Sequence, residues 1–253
     1  MLRYLNSLKA ERLLKMKPII NSTKMFIRQI MRDGMLIMML SAPLLAALFF
    51  RFGIPIIEIQ LTSYFELAAI LKPYYLVFDL ILCALTSYML SFIATMTMLD
   101  EYDHHLVGHL IVTPLKKSGY LHARISIPLF FSWLISILIV SVFSLETWMF
   151  FNLVIVSFLL SLMSLIFSLI VFSFSKNKVE GLAIAKVAGL ILSGLFIPFF
   201  ISDTTQYYFS LLPSFWIAKY AIEYQMNYLL FSLLVSLLWL ILLYKRFNNK
   251  ISR

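Results

Sequence analysis

The apolar residues of this chain form six long runs, which polar or basic segments separate. Each run is roughly 16–27 residues long. As an α-helix rising about 1.5 Å per residue, such a run covers most or all of a ~30 Å hydrocarbon layer. A helix satisfies its backbone hydrogen bonds internally, so helices are the expected form in lipid. The pattern predicts an all-α, polytopic integral membrane protein with six transmembrane helices, at 35–50, 74–98, 125–145, 148–174, 182–200 and 228–244.

The composition supports this assignment to the membrane. Of the 253 residues, 62% are hydrophobic and 13% are charged, whereas an ordinary soluble domain has about 45–50% and about 25%. A soluble globule of this size lacks the interior to bury so much apolar surface, so the surplus must face lipid. We expect a single membrane domain over 1–253, with an N-terminal segment (1–34), a six-helix region (35–244) and a tail (245–253).

Lysine and arginine are distributed unevenly among the segments that connect the runs. Seventeen of them lie in four alternate segments, whereas the other connections hold only Arg51, Lys72 and Lys219. The positive-inside rule then places both termini in the cytoplasm, in agreement with an even number of spans. We interpret the net charge of +9 as a topology signal with a secondary role in binding anionic lipid, and not as a nucleic-acid interface. The four basic segments are 1–34, 100–124, 176–181 and 245–253.

Residues 19–34 have the pattern of an amphipathic helix. Lys24, Arg28 and Arg32 recur every fourth residue on one face, and apolar side chains occupy much of the remainder. Such a helix lies in the membrane interface on the cytoplasmic side. The alternative is an ordinary anchor beside the first span, with no mechanical role. The N-cap candidates are Asn21, Ser22 and Thr23.

The segment between the second and third runs is polar and carries an ordered set of motifs. It has an acidic start, a glycine, a Thr-Pro step, a basic pair, a Tyr-Leu pair and an arginine that enters the third run. Arg32-Asp33 and Pro43 stand before and within the first run. In the order and spacing of these motifs, nearly the whole chain resembles the ABC-2 type permeases, the membrane subunits of bacterial ABC exporters. The loop motifs comprise Asp100, Glu101, Asp103, Gly108, Thr113, Pro114, Lys116, Lys117, Tyr120, Leu121 and Arg124.

The resemblance implies a role for this loop between the second and third spans. In that family it is the coupling helix, which docks in a groove of a separate ABC ATP-binding subunit, and a short rigid helix can transmit motion to the spans that it joins. The alternative is a loop that only closes a hairpin. His105 and His109 lie four residues apart, but no third ligand follows from their spacing, so no metal site is predicted. The candidate ATPase-coupling residues are Asp100, Glu101, Asp103, Gly108, Thr113 and Pro114.

No nucleotide-binding motif accompanies the loop. A P-loop needs GxxxxGK[ST], and the nearest match, Gly189 to Gly194, is followed by Leu195 and Phe196 within the fifth run. The chain is therefore predicted not to be an enzyme and to bind no cofactor, with ATP and Mg held by the partner ATPase. The resemblance implies a second permease copy or a paralogue, the bacterial cytoplasmic membrane, and export of a drug, peptide or lipid. A secondary transporter driven by an ion gradient is the alternative.

Polar residues within the second and fourth runs are candidates for a substrate pathway. Asp79 is costly in lipid and must face protein or water, where it contacts substrate, relays a proton or forms hydrogen bonds near the interface. Thr86 falls on the same helical face. Four serines of the fourth run form one stripe, which either lines the pathway or packs against another helix. These are Ser157, Ser161, Ser164 and Ser168.

Small residues recur at every fourth position of the fifth run, at Gly181, Ala185, Gly189 and Ser193. Such a face lets another helix approach closely. Because the resemblance implies dimerisation through the first and fifth spans, this is the candidate dimer interface, with an intrachain contact as the alternative. The aromatic segment that follows contains LPSFW at 212–216, which resembles the family's re-entrant cap over the exit pathway.

Overall fold

The computed structural model describes residues 17–251, which are helical apart from the turns and loops between helices. Two π-helical turns and three 3-10 turns extend or join the helices of this range. The helices are α1 (17–30), α2 (Gly34–Leu48), α3 (Ile54–Phe65), α4 (Tyr75–Asp103), α5 (Leu106–Val112), α6 (Lys116–Leu121), α7 (Ile127–Phe143), α8 (Phe150–Phe174), α9 (Lys178–Ala188), α10 (Ile197–Phe200), α11 (Pro213–Glu223) and α12 (Met226–Ile251).

Five continuous helical stretches in the described range are long and apolar enough to cross a membrane. This finding confirms the predicted all-α, polytopic membrane fold. The five stretches are Gly34–Phe65, Lys72–Asp103, Lys116–Phe143, Phe150–Phe174 and Met226–Ile251.

Both π-helical turns, Phe49–Gly53 and His122–Ser126, lie just before a proline. Pro55 and Pro128 have no backbone N–H for the carbonyl four residues earlier, and the widened turn carries each helix past that gap. The helix of the first span therefore continues past residue 50, the predicted boundary, to Phe65.

The predicted fifth span, 182–200, is not one regular helix. α9 gives way to a 3-10 turn over Gly189–Leu195, and α10 follows. At this turn the chain lies against α11 so closely that a Cβ on Gly194 would be 2.9 Å from the backbone nitrogen of Phe215. Ser214 Oγ donates to the carbonyl of Ile191 at 2.5 Å. We call residues 178–200 the broken pass. The count of six membrane crossings remains a prediction, because the helix of this segment is interrupted.

The broken pass nevertheless connects the two ends of the molecule. At one end the Lys178 ammonium lies 2.7 Å from Asp33 Oδ2, and at the other the Phe200 ring stacks on Tyr74 with centroids 5.2 Å apart. We call the first the basic end, formed by residues 17–33, 100–126, 175–178 and 245–251. The second, the opposite end, is formed by residues 66–74, 144–149, 201–212 and 224–225.

Helices α4 and α8 form the centre of the bundle. Of the apolar stretch in each, 67% is buried, against 17% in Gly34–Phe65 and in Met226–Ile251. Around this pair the remaining long helices expose large apolar side chains, as lipid-facing helices do. The short helix α11 also contributes to the core, since Phe215 and Ile217 are fully buried.

Candidate coupling loop and substrate cavity

One buried ion pair ties together the two ends of the loop between α4 and α7. Glu101 lies in the last turn of α4 and Arg124 in the π-helical turn before α7, and both side chains are at most 1% exposed. The Arg124 Nε lies 3.1 Å and 3.0 Å from the two carboxylate oxygens, and Nη2 also donates to Oε1. The Tyr120 hydroxyl donates to Oε2 at 3.0 Å. Charge-assisted bonds of this kind are strong and directional, so the loop starts and ends on one fixed support.

Helix α1 joins this support from the N-terminal side. Arg124 Nη1 donates to the carbonyl of Ser22 at 3.0 Å, and the guanidinium carbon lies 5.0 Å from the Phe26 ring centroid. Ser22 and Phe26 are both buried. We name these five residues, Ser22, Phe26, Glu101, Tyr120 and Arg124, the Arg124 cluster.

The helical residues 17–20 correct the predicted start of α1. The chain is already helical at residue 17, so Asn21, Ser22 and Thr23 lie inside the helix and not at its N-cap. Thr23 Oγ1 donates instead to the carbonyl of Ile19 at 2.9 Å. The basic face that the periodicity predicts is exposed at Lys24, as at Arg28 and Arg32.

Helix α5 is the short helix that this support holds. It follows His105, whose φ of 56° marks a sharp left-handed turn at the end of α4. Thr113 Oγ1 donates to the carbonyl of Leu110 at 2.6 Å, and Pro114 follows, so the Thr-Pro step ends α5. Val107 is buried, whereas Val112 is 84% exposed. The loop thus presents a short helix with an uncovered apolar side chain at its tip.

The three predicted acidic coupling residues have three different surroundings. Glu101 is inside the Arg124 cluster, and Asp103 is exposed. Asp100 accepts from Gln29 Nε2 at 3.1 Å and lies 4.0 Å from the Lys178 ammonium. They therefore do not form one acidic surface, because Glu101 is turned away from the side of α4 that Asp100 and Asp103, three residues apart, share.

A second polar contact at the basic end joins α2 to α9. Asp33 accepts from the amides of Met35 and Leu36, at 3.0 Å and 3.4 Å, and so caps α2. Lys178 Nζ donates to the same carboxylate at 2.7 Å. This hydrogen bond, with the charge of Lys178, holds the pKa of the Asp33 carboxyl below its ordinary value. The start of the broken pass is thereby joined to the start of the first span.

The histidines of the loop are solvent-facing. His104, His105 and His109 are exposed, as are the predicted coupling residues Gly108 and Pro114. Within residues 17–251 no three His, Cys, Asp or Glu side chains are grouped to hold a metal ion. The exposed histidines therefore make the surface around α5 polar, and Gly108 leaves one position on α5 without a side chain.

A cavity of about 510 Å³ lies between α2, α4, α8 and the broken pass. Its walls are apolar apart from the Tyr88 hydroxyl and the Lys186 ammonium. Tyr88 and Phe167 form an aromatic wall, with ring centroids 4.8 Å apart. The Tyr88 hydroxyl is buried and has no hydrogen-bond partner among the described residues. A buried unpaired donor is unfavourable, so this arrangement suits an apolar molecule that carries an acceptor group.

Asp79 lies on α4 away from this cavity and is only 1% exposed. Its carboxylate accepts from the backbone amides of Leu145 and Glu146, at 2.8 Å and 3.0 Å, and from the Trp148 indole at 2.9 Å. Three donors from the turn between α7 and α8 therefore satisfy it. These contacts are those of a hydrogen-bonding residue, and a role of Asp79 in a substrate pathway remains a prediction.

The predicted serine stripe of α8 lies against α4. Ser164 Oγ is 2.7 Å from Ser91 Oγ, and Ser168 Oγ is 2.5 Å from Thr95 Oγ1. Thr86, Ser157 and Ser161 are also buried. These contacts are helix packing between two spans of one chain, and a role of these residues in a substrate pathway remains a prediction.

The small residues of the broken pass face two directions. A Cβ on Gly181 would lie 2.5 Å from Leu99 Cδ1, so Gly181 packs on α4 within the chain. Ala185 and Gly189 line the cavity, and Ser193 is exposed. A dimer interface over these four positions remains a prediction, with Gly181 occupied by an intrachain contact.

The sequence interpretation missed the roles of Tyr88 and of Arg124 as the centre of a cluster. A tyrosine in the middle of an apolar run was the available signal for Tyr88, since a phenolic hydroxyl in lipid needs a partner. The partners of Arg124 come from residues 22–26 and 101, and no periodicity along the chain connects such distant positions.

Most of this chain is similar to known proteins. A family profile described as fluoroquinolones export permease protein Rv2686c-like matches residues 26–244. Two curated relatives from Mycobacterium tuberculosis are each 27% identical over 209 residues, which is 76% of this chain and 77% of each relative. They are named fluoroquinolones export permease protein Rv2686c, from strain H37Rv, and MT2760, from strain CDC 1551. The match confirms the resemblance to ABC-2 type permeases, and the chain therefore belongs to the Rv2686c-like family of export permease proteins.

Proposed function

We propose that this chain is the permease subunit of an ATP-driven exporter whose ATPase is a separate subunit. The observation that carries the proposal is α5, a short exposed helix whose supports on α1, α4 and α7 meet in one buried ionic cluster. A force applied to α5 reaches three helices through strong, directional contacts. A loop that only closed a hairpin would need no such support.

In the proposed assembly the basic end faces the cytoplasm, where the ATP-binding subunit is available. The positive charge of residues 17–33, 100–126, 175–178 and 245–251 supports this orientation. The ATPase holds ATP and Mg and docks over α5. A second permease, identical or paralogous, completes a symmetric transporter.

The proposed substrate is an amphiphilic molecule that binds in the 510 Å³ cavity. An aromatic ring system matches the Tyr88 and Phe167 wall, and an acidic group matches the Tyr88 hydroxyl and the Lys186 ammonium. The names of the two relatives make fluoroquinolones the first class to assay. Tyr88→Phe, which removes only the unpaired hydroxyl, is expected to raise KM and to leave the stability of the protein unchanged or higher.

The docking step is tested by co-expression with the candidate ABC ATP-binding subunits of the same genome and purification of the complex. Val112→Asp places a charge on the exposed tip of α5 and is expected to abolish co-purification while the permease remains folded. Leu211→Asp is the matched control, because Leu211 is 61% exposed at the opposite end. An ATPase that co-purifies equally with both variants contradicts docking on α5.

The energy source is tested in proteoliposomes that contain the complex and a fluorescent fluoroquinolone. We expect uptake into proteoliposomes in which the ATPase faces outward to need ATP. This uptake should persist when the proton gradient is collapsed. Uptake by the permease alone, driven by an imposed proton gradient, favours the secondary transporter and overturns the proposal.

A further inference from the structure

A second cavity, separate from the apolar one, lies at the basic end. It measures about 630 Å³ and is enclosed by the last turns of α4, α8 and α12. Four cationic side chains line it, and among the described residues no carboxylate does. These are Lys176, Lys245, Arg246 and Lys250. Concentrated positive charge in a cleft attracts an anionic ligand.

Two of these cations are held in place by α8. Lys250 Nζ donates to the carbonyls of Phe172 and Ser175 in the last turn of that helix. The Arg246 guanidinium carbon lies 3.9 Å from the Phe174 ring centroid, a stacked cation–π contact. Stacking engages the face of the guanidinium and leaves its N–H edge available, which is the edge that binds oxyanions in pairs.

The other two cations, Lys176 and Lys245, have no acidic partner in the part of the chain that the structure describes. Among residues 17–251 no carboxylate forms an ion pair with the side chain of Lys176 or Lys245. The nearby carboxylate of Glu180 accepts instead from the backbone amide of Lys176 at 2.6 Å. Two ammonium groups that lack a carboxylate partner among the described residues therefore line the same cavity as the Arg246 guanidinium.

A buried hydroxyl in the same wall is the second observation. Ser173 is 7% exposed, and its Oγ has no hydrogen-bond partner in the described part of the chain. Buried hydroxyls nearly always have a partner. If the Ser173 side chain turns toward the cavity, a ligand oxygen there supplies one, and a phosphate has acceptor oxygens for several donors at once.

The remaining wall indicates where that phosphate comes from. Leu242 lines the cavity and is 66% exposed, and Phe174 is 44% exposed beside it. Both continue the apolar outer surface of the membrane-spanning helices α8 and α12. An inorganic phosphate ion gains nothing from contact with an apolar surface, whereas the acyl chain of a lipid packs against it.

We infer that this cavity binds the headgroup phosphate of an anionic phospholipid, with the acyl chains lying over Leu242 and Phe174. Arg246, Lys245 and the Ser173 hydroxyl hold the phosphate oxygens. Basic pockets between membrane helices are suited to such headgroups. The lipid would thereby link the ends of α8 and α12 next to the loop that carries α5.

The test measures the melting temperature of the purified full-length protein in detergent against added lipid. Phosphatidylglycerol is expected to raise it saturably, and phosphatidylcholine or inorganic phosphate is not. Lys245→Gln with Arg246→Gln should weaken the apparent lipid affinity by about tenfold or more, because two charge-assisted contacts are lost. Ser173→Ala should weaken it less.

The control is Lys24→Gln with Arg28→Gln, which removes the same charge from the exposed face of α1. Each variant is compared with its own melting temperature without lipid, so that lost packing is separated from lost binding. Equal weakening by both pairs indicates adsorption to general positive charge and overturns the site. A saturable shift with inorganic phosphate alone overturns the assignment to a lipid.

Discussion

Two buried carboxylates stand near the two ends of α4, and their partners differ. Asp79 and Glu101 are each 1% exposed. Asp79 is satisfied by neutral donors from the single turn between α7 and α8. Glu101 is satisfied by Arg124, which also binds α1. Among the described residues, Asp79 binds only the turn between α7 and α8, whereas Glu101, through Arg124, connects α4 with α1 and with the start of α7. At the opposite end α4 is therefore fixed to one turn, and at the basic end it is fixed to two other helices.

Because the partners differ, removing one of them is expected to lower the free energy of unfolding by different amounts at the two carboxylates. Removing one partner of a buried ion pair leaves an uncompensated charge, which costs about 3–5 kcal/mol. Removing one neutral hydrogen bond to a buried group costs about 1–3 kcal/mol. The basic end is therefore expected to be the more sensitive of the two, and it is the end that carries α5.

The largest effect is expected for Arg124→Met. Glu101 then remains buried without a cation, and we predict a loss of about 3–5 kcal/mol in the free energy of unfolding. Denaturant titration of the purified protein in mixed micelles measures it. The double variant Glu101→Met with Arg124→Met removes both charges and should recover a large part of that loss. Additive losses in the double variant would show that the two side chains do not act as a pair.

The contrast also explains which features the sequence could predict. Long apolar runs and their all-helical fold follow from composition and length, and the inward placement of Asp79 follows from the cost of a charge in lipid. The partners of Asp79 lie at Leu145 and beyond. Their position depends on how α7 and α8 pack, which periodicity along one helix does not encode.

The acidic start of the candidate coupling loop shows a second limit of prediction. Asp100, Glu101 and Asp103 are grouped in the sequence as one acidic start, and α4 continues through all three. A rotation of about 100° per residue turns Glu101 away from the face that Asp100 and Asp103 share, toward Arg124. Likewise the fifth run looks continuous, yet Gly194 allows α11 to approach and the backbone takes a 3-10 turn. Tertiary contacts decide both outcomes.

A smaller effect is expected for Asp79→Asn at the opposite end. The amide keeps one acceptor oxygen but loses the negative charge, and it presents an NH₂ group to donors that need an acceptor. We predict a loss of about 1–3 kcal/mol in unfolding free energy. Transport per folded molecule should be unchanged, measured as initial uptake rate normalised to folded protein. A loss of transport without a loss of stability would instead place Asp79 in the substrate pathway.

The smallest effect is expected midway between the two ends, where Ser91 Oγ lies 2.7 Å from Ser164 Oγ. Hydrogen bonds between membrane helices contribute about 0.6 kcal/mol on average, because the separated helices find other partners. A double-mutant cycle of Ser91→Ala and Ser164→Ala should give a coupling energy near that value. Ser236→Ala is the matched control, since Ser236 is equally buried and its hydroxyl has no partner among the described residues. A coupling energy for the serine pair as large as that of Glu101 and Arg124 would contradict the view that α4 is held mainly at its basic end.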